Sequence, residues 1–306
     1  MKEIDTSISS RAMKFKLTRG GVRRAARDKD AEEVIKSLKG DEGQIVSRKL
    51  FLDKNSPVQK YQQKANEMYQ YHVANTLPCG DDATRLLKNS IYFEYTSKMQ
   101  QFISELEFLR SRIVGSWSVY DAVVMDDVMK RNNHLASQGK PATATPDDYL
   151  SFDEMGRRLY VTWYPEPIST SGDFRFEIPD EMRTRCDEQL DQMLREAKAD
   201  IYLRMLAPMK AFVEKLSVPI GEDGSVFRNT LVSNMADLVE HLPRLNLDDD
   251  THVTEAINAL RDAIMPYSGN PDALRESPAV RSKAKAGVEK LMAQLSGGTG
   301  HERPEI

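Results

Sequence analysis

The side chains able to do chemistry in this chain are few, and their spacing is uninformative for catalysis. Cys79 and Cys186 are the two cysteines. Two thiols cannot build a disulfide scaffold or a four-cysteine zinc site. Cys79 lies in LPCGDD, after a proline and before an expected helix. A helix N-terminus would lower its pKa, but no histidine is adjacent in sequence, and a structural thiol is the simpler reading. Cys186 falls on an apolar stripe and reads as core. His72, His134, His241, His252 and His301 are scattered, with no HExxH. DDDTH at 248–252 has oxygen ligands that, with water, would suit Mg²⁺. Capping of the helix that follows explains the same residues more simply. GxxxxGK[ST] and GxGxxG are both absent, and the glycine-flanked loops GDEG (40–43) and GEDGS (221–225) are acidic. Such loops repel phosphate rather than cradle it. The expectation is no catalytic residue, no cofactor and no metal.

Two clusters point to binding instead. Arg19, Arg23, Arg24 and Arg27, with Lys14 and Lys16, lie in a segment whose first 30 residues hold nine Lys and Arg against four Asp and Glu, net +5. They would contact phosphates without reading sequence, although Asp28, Asp30, Glu32 and Glu33 dilute the patch. The second cluster is aromatic. LYVTWY at 159–164 and FRFEI at 174–178 flank nine residues of turn chemistry, PEPISTSGD, which predicts a two-stranded hairpin. An isolated hairpin is marginal. Tyr160, Trp163, Tyr164, Phe174 and Phe176 must therefore cover the body of the protein, pair with another chain or engage a ligand, and aromatic enrichment is typical of interface cores. They are the candidate protein-binding residues.

The elements that would position these groups are mainly helical. The 306 residues suit one large or two medium domains, and 40% hydrophobic content supplies a core. A net charge of −4 excludes a generally basic nucleic-acid coat. No apolar run is long enough to span a membrane, and the N-terminus lacks an apolar signal-peptide centre. These features predict a protein of a reducing compartment. Ala12 to Thr18 alternates Met13, Phe15 and Leu17 as a short strand would, ahead of Gly20-Gly21, and a first helix is expected over 22–39. Ser56-Pro57 marks a helix start. From Asp82 to about Asn133 there is no proline and one glycine, Gly115. Met99, Ile103, Leu106, Leu109, Ile113, Trp117, Tyr120, Val124 and Val128 recur there with a period of about 3.6. One long helix is predicted, weakest at Gly115. A second is predicted from about Pro179 to Ser217, with an apolar stripe from Met182 through Cys186 to Leu216 and a kink at Pro208.

The predicted fold is thus mainly α: two long antiparallel helices with a small β-hairpin between them, and shorter helices at the opposite end. Its expected divisions are a basic arm and helix (1–44), the long-helix core with its hairpin at about 159–178 (45–220), C-terminal helices (221–296) and a disordered tail (297–306).

Three stretches also carry a resemblance: SRKLFLDKNSPVQKYQQKANEMYQYHVANTLPC (47–79), LLKNSIYFEYTSKMQQFISELEFLRSRIVGSW (86–117) and DDYLSFDEMGRRLYVTWYPEPI (147–168). Over roughly 45–220 the chain resembles a family of uncharacterised bacteriophage and prophage proteins, often encoded near MoxR-type AAA+ ATPases and von Willebrand A-type proteins. The resemblance implies a phage origin, and hence the host cytoplasm or the virion; the family has no active-site residues to map. The expected function is non-enzymatic: an elongated homo-oligomer that binds a phage or host protein and no membrane. The alternatives are weak nucleic-acid association through Arg19, Arg23, Arg24 and Arg27, and, more remotely, a hydrolase whose site is assembled only in space.

Overall fold

A computed structural model describes residues 8, 11–21, 25–27, 32–33, 35–37, 47–51, 53–168, 179–222 and 230–297. Their elements in order are β1 (Ala12–Arg19), β2 (Ala25–Arg27), β3 (Ser47–Lys49), α1 (Pro57–Asn75), β4 (Leu77–Cys79), β5 (Asp81–Lys88), α2 (Tyr92–Val114), α3 (Trp117–Ser137), α4 (Phe152–Arg158), β6 (Val161–Glu166), α5 (Asp180–Ser217), α6 (Thr230–His241), α7 (Thr251–Ser268), α8 (Ala273–Glu276) and α9 (Pro278–Gly297). The protein is mainly helical, as the sequence predicts, with a small antiparallel sheet. Two compact units interleave along the chain. A central unit takes Leu17–Ala74 and Phe93–Tyr164; a C-terminal unit takes Met1–Lys16, Asn75–Tyr92 and Pro165–Ile306.

In the central unit, α1 begins where Ser56 and Pro57 require. Ser56 Oγ accepts from the Gln59 amide at 3.2 Å, and Pro57 occupies the first turn, where its missing N–H costs nothing. The helix buries Val58, Tyr61, Ala65, Met68 and His72, spaced three and four apart. α2 likewise buries Tyr95, Met99, Phe102, Leu106 and Ile113, and α3 buries Tyr120, Val124 and Val128; His72 of α1 meets Tyr95 of α2.

The helix expected from Asp82 to Asn133 takes three pieces instead. Residues 81–88 form β5, because Gly80 at φ +76° closes a tight hairpin from β4 and Asp81 Oδ1 ties back the amides of Ala83 (2.9 Å) and Thr84 (2.6 Å). The second break falls at Gly115, where weakness was predicted. Ser116 there has extended backbone, and its hydroxyl accepts from Val119 N at 3.3 Å. That cap starts α3 afresh, and Trp117, expected on the buried stripe, stands 65% exposed. The helix expected over 22–39 is likewise interrupted, since 25–27 is strand β2, paired antiparallel with β3.

β1 confirms the strand predicted from Ala12. Its first half pairs antiparallel with β5 in the C-terminal unit, Ala12 opposite Lys88 and Lys16 opposite Thr84. Its second half lies beside β6 in the central unit, where Gly20 N donates to Tyr160 O at 2.9 Å. The partner strand expected for LYVTWY, at 174–178, lies outside the described residues, as does the tail from 298.

Gly20 is required by this approach: a Cβ there would sit 1.8 Å from the Arg158 carbonyl oxygen. At Gly21 a Cβ meets nothing within 4 Å. Gly20→Ala should therefore destabilise the protein by roughly 1–3 kcal/mol in chemical denaturation, with Gly21→Ala as the near-neutral control. Equal midpoints for the two variants would contradict the close approach.

The C-terminal unit is built on α5, unbroken through Pro208. Leu190, Met193, Ala197, Ile201, Met205, Met209, Phe212 and Leu216 form its buried face, as the stripe predicts, although Met182 is exposed and Cys186 half-buried. α9, β4, α6 and α7 pack on it. Buried Arg281 of α9 donates to the carbonyls of Lys215 (2.6 Å) and Leu216 (3.0 Å), so a cation caps the end of α5.

Candidate interaction surface

The central unit carries a groove of about 510 Å³. It lies between the start of α1 (Ser56, Pro57), the end of α2 (Ser111, Arg112) and the first turns of α3 (Val119, Ala122, Val123). Two large aromatics flank the break between α2 and α3: Phe108, 62% exposed, and Trp117. The Arg112 guanidinium lies 6.0 Å from the Phe108 ring centroid, a cation–π distance. Met125 and Met129, four apart on α3, are also exposed.

Asp127, buried and lining the groove, anchors its wall. Its Oδ2 accepts from the Phe51 amide at 2.7 Å and from the Tyr149 hydroxyl at 2.5 Å. Phe51 sits at φ +53°, a left-handed conformation costly for a bulky residue and tolerated only where the surroundings hold it. One α3 carboxylate thus fixes the segment before α1 and the segment before α4. Arg131, one turn on, donates to the Lys49 carbonyl at 2.8 Å, and the Lys130 ammonium bridges Asp53 and Asp126. Burial, then the bond to Asp127, pushes the Tyr149 hydroxyl well above its ordinary pKa. Burial, then the negative charge of Glu154, lifts Tyr120, which donates to the Leu150 carbonyl, to about 12. Both phenols are therefore neutral donors at physiological pH, and their chemistry is that of fasteners.

The aromatics predicted to bind protein divide. Half-buried Trp163 of β6 faces the interior, whereas Tyr160, just before the strand, and Tyr164 within it are 47% and 44% exposed. The Trp163 indole N–H donates to Tyr95 Oη at 3.1 Å, and His72 Nδ1 lies 2.6 Å from the same oxygen. The Trp163 and Tyr95 rings are 6.0 Å apart, tilted by 56°. Phe174 and Phe176 lie outside the described residues.

Of the four candidate arginines, Arg19 has its guanidinium committed within the unit. It donates to the Ala65 carbonyl (2.7 Å) and Asn66 Oδ1 (3.0 Å), and stacks 4.4 Å from the Tyr69 ring centroid. Arg23 and Arg24 lie outside the described residues, and Arg27 is placed only as backbone of β2.

The remaining candidates sit in the C-terminal unit. DDDTH is a cap with ionic ties: Asp250 Oδ1 accepts from the amides of His252 (2.8 Å) and Val253 (3.2 Å) at the start of α7. Lys198 pairs with Asp248 and Asp250, and Lys88 with Asp249. These ammonium groups hold the carboxyls of Asp249 and Asp250 below the usual range. Among the described residues, no group of three or more His, Cys, Asp or Glu is placed to hold a metal ion, and no helix is long and apolar enough to cross a membrane. Cys79 is buried, and burial pushes its thiol pKa up, opposite to what an activated nucleophile needs.

Sequence reasoning missed Asp127 as an anchor. For Phe108 a signal existed: it is an apolar residue off the buried stripe of its own helix. No family model matches the chain, and neither a curated protein nor a solved structure matches it.

Proposed function

We propose that this chain is a non-enzymatic interaction protein that self-associates and docks a protein partner through the apolar surface where α2 meets α3. One observation carries the reading: Phe108 and Trp117, two large aromatics on either side of the break between α2 and α3, are both more than 60% exposed. A protein that keeps such side chains in water pays hydration free energy for the surface, and contiguous exposed apolar area marks interaction sites. Trp is also the residue most enriched among those that dominate binding energy. The anchor at Asp127 supports the reading, because a wall held by buried hydrogen bonds meets a partner preorganised. Taken with the resemblance to phage-encoded chains, the setting is the host cytoplasm, with the virion as the alternative.

The test is a pair of substitutions, Phe108→Ser and Trp117→Ser. Both sites are exposed in the free chain, so unfolding free energy should shift by no more than about 0.5 kcal/mol. A desolvated interface aromatic contributes at least about 2 kcal/mol, so the self-association constant should fall roughly thirtyfold for each. Variants that associate like the parent would refute the surface; variants that melt early would show these residues to be core.

A further inference from the structure

Three elements of the central unit bring redox-capable and proton-accepting rings to one oxygen atom. α1 supplies His72, α2 supplies Tyr95 and β6 supplies Trp163. Tyr95 and His72 are buried, while Trp163 is half-buried. The Trp163 indole N–H fills one acceptor position of Tyr95 Oη, at 3.1 Å. The phenolic proton is then free to point at His72 Nδ1, 2.6 Å away, a short hydrogen bond. In that arrangement Tyr95 donates, Nδ1 accepts, and the imidazole carries its proton on Nε2. The indole and phenol rings are 6.0 Å apart, close enough for an electron to pass directly between them.

From this triad we infer that Tyr95 is a redox-active tyrosine, oxidised by one electron through Trp163 with its proton passed to His72. The electron acceptor is an outer-sphere one-electron oxidant that meets the half-buried indole from solvent. It takes one electron from Trp163 and leaves an indole radical cation. Tyr95 supplies an electron to that indole, and in the same event its O–H bond breaks, the proton moving to His72 Nδ1. The products are intact Trp163, a neutral tyrosyl radical at Tyr95, an imidazolium at His72 and the reduced oxidant. One electron leaves the protein and no proton does. Geometry decides why the oxidation ends on Tyr95. A phenol gives up an electron readily only when its proton leaves too, because the phenol radical cation is a strong acid. A basic nitrogen held at hydrogen-bond distance before the electron moves meets that need without rearrangement. Burial then keeps the tyrosyl radical from coupling with a second chain. The triad is an internal sink that draws oxidising equivalents away from the surface.

The experiment is laser-flash oxidation of the full-length protein by photogenerated tris(bipyridine)ruthenium(III), read by transient absorption and by electron paramagnetic resonance of the trapped radical. The chain has two tryptophans, so Trp117→Phe is the common background and Trp163 its one indole. An indole radical should form first and decay as a tyrosyl radical rises. In Tyr95→Phe, which keeps the ring, the indole radical should persist and the coupled tyrosyl rise should vanish. Tyr71→Phe, which alters the ring stacked on Tyr95, should leave that rise in place. His72→Gln can accept the hydrogen bond but not the proton, and should slow the indole-to-tyrosine step by roughly 100-fold or more, the worth of a positioned proton acceptor. The same step in the unsubstituted triad should slow in D₂O, a readout that stands even if His72→Gln fails to fold. A coupled tyrosyl rise that survives Tyr95→Phe would overturn the assignment. So would loss of that rise in Tyr71→Phe, an indole radical that persists with the triad intact, or a step indifferent to D₂O.

Discussion

Asp127→Ala should be the most damaging single substitution in the central unit, lowering unfolding free energy by about 2–6 kcal/mol. The figure follows from counting donors. Phe51 N–H and Tyr149 O–H both end on Asp127 Oδ2. Removing that oxygen orphans two donors in the interior, at roughly 1–3 kcal/mol each. A typical domain has only about 5–15 kcal/mol in total. Phe51 also loses the bond that holds its left-handed backbone. Asp127→Asn is the informative companion. One amide oxygen in the Oδ2 position keeps both bonds, though as neutral hydrogen bonds of about half the strength. Its loss should be clearly smaller than alanine's. Chemical denaturation with an unchanged slope would read both. Equal losses would show that charge rather than the shared oxygen does the holding, and losses under about 0.5 kcal/mol would remove Asp127 from the account.

Trp163→Ala comes second. The change deletes an indole that packs on Tyr95 and donates to its hydroxyl. Truncating a buried Trp costs roughly 3–5 kcal/mol, and half-burial sets the expectation at the lower end. Native mass should not change. Tyr160→Ser and Tyr164→Ser, on the exposed side of β6, should leave the melting temperature nearly where it was. If Trp163→Ala reduced association and spared stability, the five aromatics read from the sequence would form a binding tip after all, and α2–α3 would be the wrong surface.

Much of the fold was legible because local rules are local. Ser56-Pro57 had to start a helix, the alternation from Ala12 had to favour a strand, and the stripe from Leu190 to Leu216 had to face a core. The errors arose where partner and period compete. DDATRLLK at 81–88 has no breaker, and its Leu-Leu-Lys end suits a helix; only pairing with β1 and the Gly80 turn makes it a strand. Trp117 fits a 3.6-residue stripe and stays in register with Tyr120, Val124 and Val128 of its own helix, but it is the first residue of α3, at the Gly115-Ser116 break, and stands in water. The candidate surface was only half visible. Phe108 and Trp117 stood in the sequence as apolar residues, but which of two such residues is exposed depends on the break between their helices. The Asp126-Asp127 pair carried no signal, since an acidic pair on a helix is ordinary until its neighbours are known. Cys79 and Cys186 were each readable alone as structural thiols.

The most direct test is sedimentation equilibrium of the full-length protein over a wide concentration range at physiological ionic strength. The chain mass is 34.7 kDa. If the exposed apolar surface of α2 and α3 is an interface, the weight-average mass should climb above that value with concentration. Phe108→Ser and Trp117→Ser, each folded, should hold it closer to the monomer across the same range. A parent protein that stays at the monomer mass at every concentration would contradict the self-association at the centre of this account.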